Sequence, residues 1–248
     1  MRVAALYYIH ANLPALEAVL HDVRRADVDH VVVGGDVLPG PMPRETIACL
    51  LNLECPVQFI HGNGDREVLA WKRGTETDSI PEPYRDAMRW VAQQLHPDDE
   101  RVLASWPQTV RMEIRGLGAV LFCHATPRND TDIFTRATSE DRLLPIFEAL
   151  DVALVVCGHT HMPFDRTVGK IRVVNAGSVG MPFGEPGADW LLLGPGVQFR
   201  HTAYDLGNAA ARIRNTQYPQ AEDFAARNIL QPPSEGAMLE AFTRVELR

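Results

Sequence analysis

Short apolar, β-branched runs alternate along the chain with stretches in which apolar residues recur at helical spacing. VAALYY, residues 3–8, reads as a buried first strand. Leu13, Leu16, Val19, Leu20 and Val23 then recur every three or four positions and predict a helix over Leu13–Arg25. HVVVGGD is a second strand stopping at glycine, followed by a proline-rich turn, LPGPMP, and a helix in RETIACLLNL. VQFIHGNGD is a third strand that again stops at glycine. This alternation predicts βαβ units and a mainly parallel sheet.

Residues 74–107 are polar and helical in character, with YRDAMRWVAQQL the clearest amphipathic stretch. After them QTVRMEI, AVLFCHATP, ALVVCGHTH, KIRVVNAG and WLLLGPGVQFRHTAY read as strands with tight turns. They predict a second sheet, richer in antiparallel pairing and packed on the first. From about Asp205 the helical pattern returns in AAARIRN, AEDFAARNIL and, beyond Pro232-Pro233, AMLEAFTRVEL. The fold class expected is α/β with two packed sheets: a main domain over 1–204 and a helical extension, 205–248, packed on it. There is no internal repeat.

Composition narrows this picture only a little. At 248 residues the chain is long enough for one large domain, and 46% hydrophobic with 23% charged residues is ordinary for a globular protein. No apolar run reaches the roughly 20 residues of a membrane span, and Met1-Arg2-Val3 leads directly into strand pattern with no signal peptide visible. The expected location is the cytoplasm, with no membrane partner. Cys49, Cys55, Cys123 and Cys157 form no CxxC pair and read as buried thiols. The net charge of −8 argues against broad binding to nucleic-acid backbones but not against a small phosphate ester.

Candidate chemistry sits where the apolar runs stop. The first ends in Tyr8-Ile9-His10-Ala11-Asn12, the second in Gly34-Gly35-Asp36 and the third in Gly62-Asn63-Gly64-Asp65; His124 follows a later run and Gly158-His159-Thr160-His161 another. Ligands of open α/β sheets bind just beyond the carboxyl ends of strands. Imidazole, carboxylate and amide oxygen without thiolate suit a divalent metal of the Mn²⁺, Fe, Zn²⁺ or Mg²⁺ kind. Two such ions about 3.5–4 Å apart can neutralise a phosphoryl group and make hydroxide available at neutral pH. Singly, each residue has a plainer reading: Asp36 and Asp65 as caps, Asn63 as a turn residue, Asn12 as the cap of the helix that follows.

Taken in order, strand-YIH, GGD, GNGD, CHATP, CGHTH and NAGSVG resemble the calcineurin-like metallophosphoesterase superfamily, most closely its compact bacterial and archaeal phosphodiesterase branch. The resemblance runs from Arg2 to about Tyr204. It implies an αββα two-sheet sandwich and a metal-dependent phosphoric ester hydrolase, a phosphodiesterase, in which metal-bound hydroxide attacks phosphorus. It places one metal on His10, Asp36 and His161 and a second on Asp36, Asn63, His124 and His159, with Asp36 bridging. Asp36, His124 and His159 are then the catalytic core, and Asn12, Arg66 and Arg128 are candidate contacts to a small phosphate-ester substrate. One or two divalent ions are implied, Mn²⁺ first, with Fe, Zn²⁺, Ni²⁺ and Mg²⁺ open, as is a homo-oligomer.

Three positions depart from the family pattern. Tyr8 stands where a metal-binding aspartate is usual, Ala11 where glycine is usual, and Gly64 where many members carry a histidine that serves the leaving group. Tyr8 admits three readings: an inert change in a fold kept as a binding or scaffold module, a weakened first metal position beside an intact second, or a phenolate ligand. The second is preferred. A phenol ionises near ~10, so phenolate ligation requires a metal to displace its proton.

Overall fold

The structure, a computed structural model, describes residues 1–247. Arg248, the last residue of the expected extension, lies outside them. The order of elements is β1 (Val3–Leu6), α1 (Leu13–Arg25), β2 (His30–Val33), α2 (Pro43–Leu51), β3 (Val57–Phe59), α3 (Asn63–Lys72), α4 (Glu82–Gln94) and α5 (Pro97–Ala104). There follow β4 (Thr109–Ile114), β5 (Gly118–Cys123), α6 (Glu140–Phe147), β6 (Leu154–Cys157), β7 (Phe164–Val168), β8 (Ile171–Asn175), β9 (Ala188–Leu193) and β10 (Val197–Thr202). The chain closes with α7 (Leu206–Arg214), α8 (Ala221–Phe224) running into a π-turn over Ala225–Leu230, and α9 (Glu235–Thr243).

Two five-stranded sheets result, ordered β10-β9-β1-β2-β3 and β4-β5-β6-β8-β7. The period-two alternation of β1 shows how they stack. Val3, Ala5 and Tyr7 face the other sheet and meet Val120, Phe122, Val156 and Val174. Ala4 and Leu6 face the opposite way, toward Leu16 and Val19 of α1. On the far side of the second sheet Val155, Cys157 and Val173 pack with Leu143 and Phe147 of α6. The layers therefore run helix, sheet, sheet, helix. The buried apolar residues of α7, α8 and the segment after it, among them Ala209, Ile213, Phe224 and Ile229, join the same core cluster as α1, whereas α9 buries none.

The two sheets are more alike than the sequence suggests. β1, β2 and β3 are parallel and β9 and β10 add antiparallel strands; β5, β6 and β8 are parallel and β4 and β7 add antiparallel edges. The expectation that every late strand joins the second sheet is corrected for β9 and β10. The reason is that β9 is apolar on both faces: Trp190 and Leu192 pack toward the helices and Leu191 and Leu193 toward the other sheet. A strand buried on both faces needs cover on both, and the place beside β1 provides it. The α6 segment carries Pro145 inside the helix, which breaks the pattern that would announce it.

Helix α1 matches its predicted bounds because its ends are chemically marked. Asn12 Oδ1 accepts the Ala15 backbone N–H at 3.3 Å, Pro14 lies in the first turn, and Arg24 and Arg25 lie in the last. The four cysteines are free thiols. No helix among the described residues is long and apolar enough to cross a membrane.

Candidate metal centre

All six parallel strands deliver polar residues to one place at the seam between the sheets. His10 follows β1, Asp36 follows β2, Asn63 follows β3, His124 follows β5, and His159 and His161 follow β6; the loop after β8, residues 176–181, braces them. The candidate ligands are largely buried, Asp36 at 5% exposure and His124 at 1%.

The backbone that carries them is strained. Among the described residues eight non-glycine residues have positive φ, and six are in this cluster: Tyr8 (+56°), His10 (+49°), Ala11 (+48°), Asp36 (+49°), His159 (+67°) and His161 (+56°). Left-handed backbone costs a non-glycine residue about 1–2 kcal/mol, and such strain concentrates at functional sites. Ala11 illustrates the point: glycine would adopt its φ without penalty. The strain is held by hydrogen bonds. The Tyr8 carbonyl accepts from Ser178 Oγ at 3.0 Å and from Gly180 N at 2.8 Å, and His10 and Ala11 donate to the carbonyls of Asp36 and Val37.

Three imidazoles are oriented alike. Nδ1 of His10 faces the Pro39 carbonyl at 3.3 Å, Nδ1 of His124 the Gly34 carbonyl at 3.0 Å, and Nδ1 of His161 the Met181 carbonyl at 2.8 Å. A carbonyl only accepts, so each Nδ1 carries the proton and each Nε2 turns a lone pair into the site. Nε2 of His10 and Nε2 of His161 lie 3.4 Å apart, and His124 Nε2 lies 3.0 Å from Asn63 Oδ1. Asp36 stands between the two groups, Oδ2 at 3.9 Å from His10 Nε2 and Oδ1 at 3.7 Å from His124 Nε2. His159 differs: its Nδ1 is buried without a hydrogen-bond partner, although the Thr131 backbone lies near enough to favour its charged form.

The electrostatics are those of an acceptor-rich pocket with little positive charge. Burial lowers His10 and His159 to about 4, and burial followed by neighbouring imidazoles holds His124 and His161 well below the usual value. Burial, then the nearby Asp65 carboxyl, pushes Asp36 well up, against the Gly64 N–H. Asp65 is raised by burial to about 7, although it accepts N–H bonds from Gly62 and Leu38 at 2.9 Å each and so ties the GGD loop to the GNGD loop.

These residues fit a divalent cation. Imidazole and carboxylate lone pairs converge, with the Gly64 N–H and the Tyr8 hydroxyl the donors beside them, and imidazoles whose far nitrogens bond backbone carbonyls are the usual support of metal-binding histidines. The 3.4 Å separation of two Nε2 atoms suits two bonds of about 2.1 Å to one ion. Even so, no three His, Cys, Asp or Glu side chains among the described residues form a closed metal cage, and Tyr8 supplies a reason. Its ring is completely buried among the imidazoles, 4.4 Å from His161, 4.7 Å from His124 and 5.9 Å from His10 between centroids. Its hydroxyl lies 2.8 and 3.1 Å from the two nitrogens of His124 and 3.2 Å from the His124 carbonyl. An oxygen near both ring nitrogens is off the in-plane axis of each, so the carbonyl is its sound acceptor. Burial, then Asp36, holds the phenol well above its ordinary value, and it stays neutral without a cation.

Gly64 and Gly62 are glycines for lack of room. A Cβ at Gly64 would stand 2.6 Å from the Leu38 carbonyl and 2.9 Å from Asp36 Oδ1, and one at Gly62 would run into Asp36 and His124. Gly64 N donates instead to Asp36 Oδ1 at 2.7 Å. A histidine at 64 therefore requires the loop to move.

The candidate substrate contacts are placed less favourably. Asn12 is fully buried, its Oδ1 on Ala15 and its Nδ2 on the Gly180 carbonyl at 2.8 Å, and it serves as the cap. Arg66 pairs with Asp130 at 2.8 and 3.1 Å and with Glu67, and Arg128 pairs with Asp132. Sequence reading missed Asp65 as a tie between two loops and Ser178 as the brace of Tyr8. NAGSVG was a signal for the second, for it stands at a strand end like the other motifs.

Comparison with known proteins decides the family. Residues 1–193 match the model of the calcineurin-like phosphoesterase superfamily domain. The chain belongs to that superfamily. A metallophosphoesterase from Sphaerobacter thermophilus is similar at 27% identity, with 91% of this chain and 97% of that one covered and a TM-score of 0.71. A hypothetical protein from Pyrococcus horikoshii shares the fold at 21% identity, with 94% and 99% covered and a TM-score of 0.80. An uncharacterised protein of Methanocaldococcus jannaschii is 28% identical over 197 residues, covering 73% of this chain and 76% of its own. The chain is thus a member of a phosphoesterase family, and divalent metal ions are implied by that membership.

Proposed function

We propose that this phosphoesterase is a metal-dependent phosphodiesterase acting on small phosphate esters, with Mn²⁺ the first metal to try. The observation that carries the reading is Asp36, whose two oxygens lie 3.7 and 3.9 Å from imidazole nitrogens of two separate groups. Asp36, Asn63, His124 and His159 would hold one ion, and His10, Asp36 and His161 a weaker one. A bound divalent ion supplies charge neutralisation at the phosphoryl group and acidity to an attacking water.

The chain's own residues set the rest. The carbonyls of Gly34, Pro39 and Met181 fix the imidazole tautomers, and Asp65 fixes the spacing of the Asp36 and Asn63 loops. Tyr8 replaces a charged ligand by a neutral phenol and leaves the His10–His161 position with Asp36 as its one carboxylate, which is why that position is the weaker. With glycine at 64 no imidazole stands ready to protonate the departing alcohol from there, which favours esters of acidic alcohols.

Calorimetric Mn²⁺ titration and hydrolysis of bis(4-nitrophenyl) phosphate, on this chain and on Tyr8→Asp, test the reading. Metal-dependent turnover by the native chain, with tighter binding of a second ion in Tyr8→Asp, is the expected result. No divalent-metal binding at micromolar concentration sinks it. Turnover by Tyr8→Asp alone would favour a binding module, the reading for which the central position of the Tyr8 ring speaks.

A further inference from the structure

A cavity of about 240 Å³ opens from the candidate centre, with His10, Asp36 and Asn63 along one side. We propose that it is the subsite for an ester group of the substrate, and that this group is an uncharged ring bearing hydrogen-bond donors, as a nucleoside does. The inference rests on the phosphodiesterase reading and adds a substrate class to it.

The far wall is apolar and aromatic: Ile80 precedes α4, Tyr84 and Met88 lie on α4, and Tyr218 follows α7. Tyr84 is 54% exposed, a large ring left uncovered at the cavity mouth. Tyr218 is buried and held edge-on by Trp90, with centroids 5.6 Å apart at 67°. Gln220 Nε2 donates to the Pro83 carbonyl at 2.9 Å, which ties the two pieces of wall together. An apolar cavity of about 150 Å³ takes benzene, so this one has space for a ring and part of what the ring carries.

Charge selects further. Among the described residues no lysine or arginine lines the cavity, and the nearby Arg66 is committed to Asp130 and Glu67. A second phosphate or a carboxylate would enter without a counter-ion. Glu67, which does line it, has a carboxylate already accepting from Arg66 and Thr77, and a carboxylate only accepts. It repels anions and welcomes hydroxyl or amino donors. Tyr218 lies beyond residues 1–193, the part that the family model matches, whereas Ile80, Tyr84 and Met88 lie within it.

Two diesters with the same leaving group test the subsite: thymidine 5′-(4-nitrophenyl phosphate) and methyl 4-nitrophenyl phosphate, each with Mn²⁺. The native chain should prefer the thymidine ester in kcat/KM. Tyr84→Ala, an exposed change that leaves the core alone, should cut that preference about tenfold, chiefly through KM, and affect the methyl ester much less. Equal treatment of the two esters by the native chain, or an equal loss on both in Tyr84→Ala, overturns the proposal. If the native chain hydrolyses neither ester, the phosphodiesterase reading fails, and calorimetric binding of the thymidine ester still decides the subsite. Binding weakened by Tyr84→Ala supports it; absent or unaltered binding overturns it.

Discussion

The His10–Asp36–Asn63 side of the cavity is made of residues that follow strand ends within four positions, whereas the Tyr84–Tyr218 side comes from α4 and the segment after α7. On the first side the backbone is left-handed at residue after residue, the polar atoms are buried, and Gly62 and Gly64 admit no Cβ. On the second the backbone of Tyr84 and Met88 is ordinary helix and Tyr84 is half open to solvent. The difference separates what must be placed to a fraction of an ångström from what need only be the right shape and charge. Strain and burial are tolerable where many hydrogen bonds over-determine a position. A wall made of apolar contact can vary without disturbing them.

Substitutions should break this contrast in a definite order. Asp36→Asn removes the one carboxylate near both imidazole groups, and should lower metal-dependent turnover by more than the ~10–100-fold that loss of a supporting partner costs. Turnover and Mn²⁺ affinity measured on the same sample check it; retention of both would show that Asp36 merely ends a strand.

Acid should come next, acting on the polar side alone. His10 and His159 lie at about 4 in the folded chain against an ordinary 6.5, so the unfolded chain takes up protons first as pH falls. The stability they contribute is present above 6.5 and lost as pH falls through 4. Asp65, at about 7 against an ordinary 3.8, works the other way, as does Asp36: what they contribute is present below 3.8 and lost as pH rises. With His124 and His161 also lowered, four imidazoles of the site oppose its two carboxyls, while outside it the raised Asp189 and His201 side with the carboxyls and the lowered Asp132 with the imidazoles. The Tm of the metal-free protein should fall between pH 7 and 4.5, and the extra Tm conferred by Mn²⁺ should shrink over the same interval. Differential scanning calorimetry with and without chelator reads both; a Tm that rises toward pH 4.5 would reverse the assignment.

Asn12→Ala should cost about 1–2 kcal/mol, since it loses the cap of α1 and leaves the Gly180 carbonyl unpaired. Chemical denaturation measures this, and a change below about 0.5 kcal/mol would show the cap to be dispensable. Smallest of all, Tyr84→Ala should alter stability by less than about 0.5 kcal/mol, because the residue is half open to solvent. A loss as large as that of Asn12→Ala would make the wall as structural as the polar side.

Much of the candidate centre was legible because its signals are local. A glycine and a polar residue after an apolar run can be read from a few letters, and the helix over Leu13–Arg25 is bracketed by an asparagine cap, a proline in the first turn and two terminal arginines. The wall carried no such mark. Tyr84 and Tyr218 are 134 positions apart in sequence, and nothing local announces that they share a cavity. The sheet chosen by β9 was hidden for a related reason: an apolar strand tells that it is buried, not beside which strand.

By itself the sequence determined the order of strands and helices apart from α6, the strand-end donors and the absence of thiolate among them, since period, capping and side-chain chemistry are properties of a few neighbouring residues. Only the tertiary structure decided that six strand ends meet at one seam, that Asp36 stands between two imidazole groups, and that Tyr8 lies as a neutral ring in their midst. Those facts depend on how two sheets stack and on positive φ at particular residues, which packing and long-range hydrogen bonds impose on the chain.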